Sequence, residues 1–310
     1  MEYVHLALIA AAALWGAAAG VFVLRPAYRL SVEPEDPWRD ACPAGHPITG
    51  PVQGWLGTAR CTGCAVPLGS VPPAPVAAGA APGSGAHEVP GEQGAADRPG
   101  TNERGGAGGP AAVAERGGRG SPVAAVREPA PYRPSSVVPV VAALACAALA
   151  AAVGPRPELA AWLLLAPVAV LLALVDLNVQ RLPDRLTLPL AAAAAVLLGG
   201  AALLPGAGGS WPVALLGGLV LGAAYLVLFL VNPNGMGFGD VKLALSLGVA
   251  LGWYGWEVLF VGAFAGFLLG AFYGLGLVVL RGAGRGTAIP FGPFMISGTL
   301  IGLLLGALSV

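Results

Sequence analysis

The chain has 310 residues, of which 56% are hydrophobic and only 10% are charged. Soluble domains carry about 25% charged residues, so this composition excludes an ordinary soluble protein and predicts an all-α, polytopic membrane protein. Sixteen acidic and sixteen basic residues give a formal net charge of zero, and this balance gives no indication of nucleic-acid binding.

The first predicted membrane span covers residues 4–24, an apolar run of about 21 residues that can cross about 30 Å as a helix. No basic residue precedes the run, whereas Arg25 and Arg29 follow it. A cleaved signal peptide would carry its positive charge before the apolar run. Residues 1–24 are therefore predicted to be a retained transmembrane helix with its N-terminus outside.

The rest of the chain divides into three regions by composition. Residues 25–70 are polar and contain three of the four cysteines, which predicts a small folded segment on the cytoplasmic side. Residues 71–135 are rich in Pro, Gly and Ala and have few large apolar side chains, which is typical of a disordered linker. Residues 136–310 form the predicted membrane-embedded domain.

Seven further apolar runs bring the predicted number of membrane spans to eight. They cover residues 136–154, 159–175, 186–204, 213–231, 241–254, 256–280 and 288–308. Eight crossings that start outside place every basic residue except Arg156 in segments on the cytoplasmic side. This distribution is the one that the positive-inside rule favours.

Two aspartates at the edges of these spans are the main candidates for chemistry. Asp240 ends the stretch Gly237-Phe238-Gly239-Asp240 just before the sixth span, and Asp176 follows the third. Since two spans separate them, both are expected at the same membrane face. Aspartate within a membrane helix costs roughly 2.5 to 3.5 kcal/mol, which makes each a functional candidate. The glycines are expected to let Asp240 and an extended substrate backbone meet closely.

A pair of aspartates at one membrane face can support hydrolysis. Two carboxyl groups brought close together cannot both ionise cheaply, so one holds a proton while the other does not. The ionised group can then act as general base on water while the protonated group polarises a peptide carbonyl. This is the chemistry of aspartic proteases.

Simpler roles stay open for several of these residues. Asp176 could be an ordinary helix-end residue, and Asp184 fits the N-cap of the fourth span. Lys242 could extend its ammonium group toward water along the membrane edge. Cys146 lies within the second span and is expected to serve in packing.

Three motifs in this order resemble those of the bacterial type IV leader peptidases, or prepilin peptidases, a family of GxGD intramembrane aspartic proteases. They are Asp176 with Leu182-Pro183-Asp184, the stretch Gly237-Phe238-Gly239-Asp240-Val241-Lys242-Leu243, and Ile289-Pro290-Phe291-Gly292. The resemblance covers roughly residues 5–70 and 135–308. It implies that Asp176 and Asp240 are the catalytic residues. Supporting positions would be Gly237, Phe238, Gly239, Lys242, Pro183, Asp184, Pro290 and Gly292.

The resemblance also implies a substrate and a location. The family removes the N-terminal leader of type IV prepilins and pseudopilins at the cytoplasmic side of the bacterial inner membrane, and proteolysis needs no cofactor. Many members also methylate the new N-terminus with S-adenosylmethionine, an activity that stays open here. Two other functions are alternatives: a transporter with an ion site around Asp240, and a noncatalytic assembly factor that binds pilins.

A metal site is the second candidate in the chain. Family members carry two CxxC pairs that suit tetrahedral zinc. Here Cys61 and Cys64 form one such pair, whereas Cys42 is a single cysteine followed by His46. A zinc site made of these four residues and a set of three reduced thiols are both open alternatives.

Overall fold

The computed structural model describes residues 2–33, 36–65, 132–233, 236–281 and 289–310. Within these ranges the regular secondary structure is helical, apart from an isolated β-bridge between Ala41 and Pro47. The helices are α1 (Glu2–Leu30), α2 (Pro51–Gly54), α3 (Thr62–Ala65), α4 (Val137–Val153), α5 (Glu158–Val179), α6 (Asp184–Ala202), α7 (Trp211–Val231), α8 (Phe238–Gly252), α9 (Trp256–Arg281) and α10 (Gly292–Leu308).

The predicted all-α, multi-pass architecture is confirmed. Helices α1, α5, α6, α7 and α9 are long and apolar enough to cross a membrane, and α4 and α10 are apolar helices of 17 residues. Helix α8 has 15 residues. These eight helices coincide with the eight apolar runs to within a few residues at most ends. Most of the predicted linker lies outside the described residues, and the domain boundaries stay predictions.

Helix α1 extends beyond its predicted end at residue 24. It continues through Pro26 to Leu30, and the side chains of Arg25 and Arg29 are buried. These guanidinium groups donate to backbone carbonyls of the segment that follows, which allows the charged turn to remain helical within a packed structure. The polar end of α1 therefore binds the cysteine-containing module, which comprises residues 36–65.

Glycine residues allow two pairs of helices to pack with their backbones in contact. A Cβ atom built on Gly248 of α8 would lie 2.5 Å from the carbonyl oxygen of Gly217 on α7, so neither helix has room for a side chain there. Helices α9 and α10 meet in the same way at Gly262, Gly266 and Gly298. Close backbone approach of this kind drives helix association in membranes, where the hydrophobic effect does not.

One of the packed clusters in the core surrounds the beginning of α8. It contains Leu172 of α5, Tyr225 of α7, Leu243 of α8 and Met295 of α10, together with Leu182 from the α5–α6 turn. Leu172 lies one turn before Asp176, and Leu243 lies three residues after Asp240. The bundle therefore closes tightly just beside the two candidate aspartates.

Candidate active site

Asp176 lies in the last turn of α5 and is 4% exposed. Its Oδ2 atom accepts a hydrogen bond of 2.9 Å from the backbone N–H of Gly292, the first residue of α10. A Cβ atom on Gly292 would lie 2.9 Å from the same oxygen, so only glycine allows this approach. The start of a helix stabilises a carboxylate through its free N–H groups and its dipole.

Asp240 is held in an analogous way in the first turn of α8, where it is 8% exposed. Its Oδ2 atom accepts a hydrogen bond of 3.3 Å from the backbone N–H of Gly237. Each aspartate thus lies at the N-terminal end of a helix, but Asp240 belongs to that helix whereas Asp176 is brought there from another.

The structure brings the two aspartates together. Asp176 and Asp240 are close enough to interact electrostatically, and the same side of the bundle holds both motifs. Gly239 has a different neighbour from the one expected from the sequence: a Cβ atom on it would lie 2.9 Å from Cβ of Leu182. The bare backbone at Gly239 therefore packs on the α5–α6 turn, and its expected contact with a substrate backbone stays a prediction.

An aromatic wall borders the aspartates, defined here as Tyr225, Phe267 and Phe291. The ring of Phe267 lies 5.4 Å from that of Tyr225 and 5.3 Å from that of Phe291. Tyr225 is 2% exposed and lies within electrostatic range of Asp240. Sequence reasoning missed Tyr225 and Phe267, although a tyrosine inside an otherwise apolar run is a signal that could have marked the first of them.

The remaining motif residues take structural positions around the site. Helix α6 begins at Asp184 after Pro183, so the N-cap role expected for Asp184 is wrong. Its Oδ1 atom instead lies 2.5 Å from the Lys242 ammonium group. Lys242 therefore forms an ion pair and does not extend freely toward water. Pro290 is half-buried two residues before Gly292.

Comparison with known proteins decides the family. A model of the type IV leader peptidase family matches residues 163–275, which include both aspartates. A prepilin leader peptidase/N-methyltransferase of Pseudomonas aeruginosa is 33% identical over 205 residues, which cover 56% of this chain and 68% of that protein. The chain belongs to the type IV leader peptidase family.

Other members of the type IV leader peptidase family show how far the similarity extends. A prepilin leader peptidase/N-methyltransferase of Aeromonas hydrophila is 39% identical over 180 residues, covering 55% of this chain and 58% of that protein. The chain thus matches somewhat more than half the length of such relatives. No solved structure matches it significantly.

This leader peptidase family member also carries a cluster of metal-ligating side chains in the cysteine-containing module. The ligand atoms of Cys42, His46, Cys61 and Cys64 lie within 4.8 Å of one another. The Sγ atoms of Cys42 and Cys64 are 3.7 Å apart, and His46 Nδ1 lies 3.6 Å and 3.3 Å from them. A tetrahedral zinc site requires about 3.8 Å between sulfurs and about 3.5 Å between sulfur and nitrogen. Cys42, Cys64 and His46 match these distances, and Cys61 lies within 4.8 Å of them, so the four residues form a donor set that suits zinc.

The electrostatics of the cluster favour at least one thiolate. Burial opposes ionisation of Cys42, but hydrogen bonds from the backbone N–H groups of Ala44 and His46 and from the Cys61 and His46 side chains outweigh it and lower the pKa to about 6. Hydrogen bonds with Cys61 and Cys42 raise the pKa of Cys64 to about 11. The thiolate is the form that binds metal. Cys146, by contrast, is buried in α4 among apolar side chains, as expected for a packing residue.

Two arginines of α1 hold the module in place. Arg25 donates to the carbonyls of Leu56 and Thr49, and Arg29 donates to those of Arg39 and Gln53. A planar guanidinium with several fixed donors suits such a fork of carbonyl contacts. The module is therefore fixed to the helix that packs against α5, which carries Asp176.

Proposed function

We propose that this protein is an endopeptidase that removes the N-terminal leader of a prepilin or pseudopilin-like substrate. The observation that carries the proposal is the pair of buried carboxyl groups, Asp176 and Asp240, which lie within electrostatic range of each other at the starts of two helices. Membership of the type IV leader peptidase family supports the same reaction. The relatives that match are named prepilin leader peptidase/N-methyltransferase.

The two carboxyl groups divide the work of hydrolysis. In the proposed mechanism one carboxyl group holds a proton and the other is ionised, so that the pair titrates as a unit. The ionised carboxylate takes a proton from water as the water oxygen attacks the scissile carbonyl carbon. The protonated carboxyl donates its proton to the carbonyl oxygen. The first carboxyl then passes the proton it took from water to the leaving nitrogen, the second recovers its proton from the gem-diol, and the C–N bond breaks. The products are the leader with a free carboxylate and the mature chain with a free amine.

The aromatic wall is proposed to receive the apolar part of the substrate. The ring of Phe267 is exposed and packs against the rings of buried Tyr225 and half-buried Phe291, next to Gly292, the residue that holds Asp176. Aromatic rings offer large apolar contact area with few rotatable bonds. A substrate with a membrane-spanning helix after the scissile bond can therefore place its first apolar side chain here while the bond lies between the carboxyls.

We assign the aspartate side of the bundle to the cytoplasmic face of the bacterial inner membrane. Arg181, Arg185 and Lys242 lie at this end, and so do Arg25 and Arg29 at the end of α1. The positive-inside rule then places the N-terminus outside. Arg156, the exception in the sequence, bonds to a carbonyl near the other end of the bundle, that of Ala307.

Zinc and methylation complete the proposal. Cys42, His46, Cys61 and Cys64 would hold one structural zinc ion, which would fix the fold of a module too small to build a large core.

Methylation of the new N-terminus with S-adenosylmethionine is proposed from the names of the relatives alone. Mass spectrometry of the processed pilin N-terminus decides that activity independently of cleavage.

Co-expression with a prepilin tests the peptidase. Asp176→Asn and Asp240→Asn should each leave the substrate at its precursor mobility while the variant protein remains in the membrane. Glu257→Gln is the matched control, because it removes an exposed carboxylate from the first turn of α9. Processing at the wild-type rate by either aspartate variant would refute the proposal.

A further inference from the structure

Helices α6 and α8 are joined by two polar contacts on their facing sides. The ammonium nitrogen of Lys242 lies 2.5 Å from Oδ1 of Asp184, and the Ser246 hydroxyl donates to the carbonyl oxygen of Thr187 at 3.2 Å. Asp184 and Thr187 are three residues apart on α6, and Lys242 and Ser246 are four apart on α8. Residues at these spacings lie on one helix face. The two contacts therefore connect α6 and α8 at successive helical turns.

The ion pair between Lys242 and Asp184 connects the two segments that carry the aspartates. Lys242 follows Asp240 by two residues, and Asp184 follows Asp176 by eight, across the turn between α5 and α6. The backbone of Gly239 packs against Leu182 of that turn, which adds a steric contact to the ion pair. A slip of α8 along α6 would thus change the separation of the two carboxyl groups.

The ion pair is placed to set position more than to add stability. The side chain of Lys242 is 16% exposed and that of Asp184 is 63% exposed. Because the Asp184 carboxylate is largely in water, solvent screening reduces what the pair adds to the free energy of unfolding. Lys242 also lies 4.7 Å from the ring centre of Phe238, at the start of the same helix. The ammonium group therefore contacts both Asp184 of α6 and Phe238, the first residue of α8.

We propose that Lys242 is a positioning residue for the peptidase reaction, acting through Asp184. By pairing with Asp184 it fixes the register between the first turn of α8 and the α5–α6 turn, and so sets the separation of the Asp176 and Asp240 carboxyls. It touches neither the water nor the scissile bond. This inference rests on the proposed peptidase function.

The test compares kinetics of purified variants on a prepilin. Lys242→Met and Asp184→Asn should each lower kcat by roughly tenfold to a hundredfold, the effect of a misplacement of about 1 Å, with KM changed less than twofold. Because both act on one contact, the double variant should lose no more than the worse single variant. The conservative Lys242→Arg, and the exchange Asp184→Lys with Lys242→Asp, should recover most of the lost kcat.

The control removes a neighbouring ion pair that does not reach α8. Arg181 lies 3.8 Å from Glu33 at the same turn, and both side chains are more than half exposed. Arg181→Met should leave kcat unchanged. Wild-type kcat in Lys242→Met, or additive losses in the double variant, would overturn the proposal.

The failure of this inference can be told apart from failure of the function. Active Asp176→Asn or Asp240→Asn would refute the peptidase itself. Inactive aspartate variants together with a fully active Lys242→Met would refute only the positioning role. If Lys242→Met does not accumulate in the membrane, Asp184→Asn and the exchange variant carry the same test, because Asp184 is largely exposed.

Discussion

The carboxyl group of Asp176 is held by the backbone N–H of Gly292, 116 residues later in the chain, at 2.9 Å. This contact joins the first and last motifs of the membrane domain. It gives the glycine of the last motif a specific role, because the backbone must come within hydrogen-bonding distance of a buried carboxyl group. The N-terminal end of α10 is in effect part of the aspartate site.

Replacing Gly292 by alanine should therefore disrupt the site without disrupting the bundle. The added Cβ atom would lie 2.9 Å from Asp176 Oδ2, so the carboxyl group must turn away or the helix must shift. We expect kcat for prepilin cleavage to fall by about a hundredfold, since a displacement of about 1 Å has effects of this size. Cleavage rates of purified protein measure it.

Gly276→Ala is the matched control for that variant. Gly276 lies in α9, and a Cβ atom there meets nothing within 4 Å. Its cleavage rate should equal that of the wild type. Equal rates for Gly292→Ala and wild type would show that the hydrogen bond to Asp176 is dispensable.

The cysteine-containing module should bind about one zinc ion per chain, since its four ligands match one tetrahedral centre. Cys42→Ser and Cys61→Ser should each lower the zinc content of the purified protein, measured by elemental analysis, because the loss of one thiolate leaves three ligands. Cys146→Ser should retain full zinc, since Cys146 is buried in α4 away from the cluster. Zinc content unchanged in Cys42→Ser, or absent in the wild type, would contradict the assignment.

Much of the fold followed from the sequence, for a physical reason. A bilayer requires long apolar helices, so the apolar runs gave the eight helices directly. The same-side placement of Asp176 and Asp240 followed from counting crossings. The four residues of the cluster lie close together in the chain: Cys42, His46, Cys61 and Cys64. A shared zinc site was therefore one of the two alternatives that the sequence indicated, and a set of reduced thiols was the other.

The contacts that define the site could not be predicted in the same way. Tyr225 meets Phe291, and Asp184 meets Lys242, only because α6, α7, α8 and α10 pack in a particular arrangement. Membrane helices are apolar on all sides, so their sequences indicate weakly which face meets which neighbour. The N-cap role expected for Asp184 failed because α6 begins at Asp184 itself, after Pro183, and its carboxylate pairs with a lysine on another helix.

The docking of the module on α1 should depend on Arg25. Its guanidinium donates to Leu56 and Thr49 carbonyls and to the Tyr132 hydroxyl. Arg25→Met removes these charge-assisted bonds and should weaken docking by about 2 kcal/mol. Faster hydrogen exchange in residues 41–56 would report it.

Arg60→Met is the control for the docking experiment. Arg60 belongs to the same module, but its side chain is exposed, so its loss should leave hydrogen exchange unchanged. If residues 41–56 exchange hydrogen at the same rate in Arg25→Met as in Arg60→Met, the hydrogen bonds of the Arg25 guanidinium do not hold the module.

The end of the bundle away from the aspartates contains a buried carboxylate, Glu158, whose loss should lower stability. Glu158 is fully buried, accepts the N–H of Gly208 at 3.1 Å and lies 3.9 Å from Arg156, which is 23% exposed. Removing one partner of a buried ion pair typically costs 3–5 kcal/mol, and partial exposure of Arg156 favours the lower end, about 3 kcal/mol for Glu158→Ala. The midpoint of thermal unfolding should therefore fall well below that of Glu257→Ala, which removes an exposed glutamate. Equal midpoints would mean that the pair adds nothing to stability.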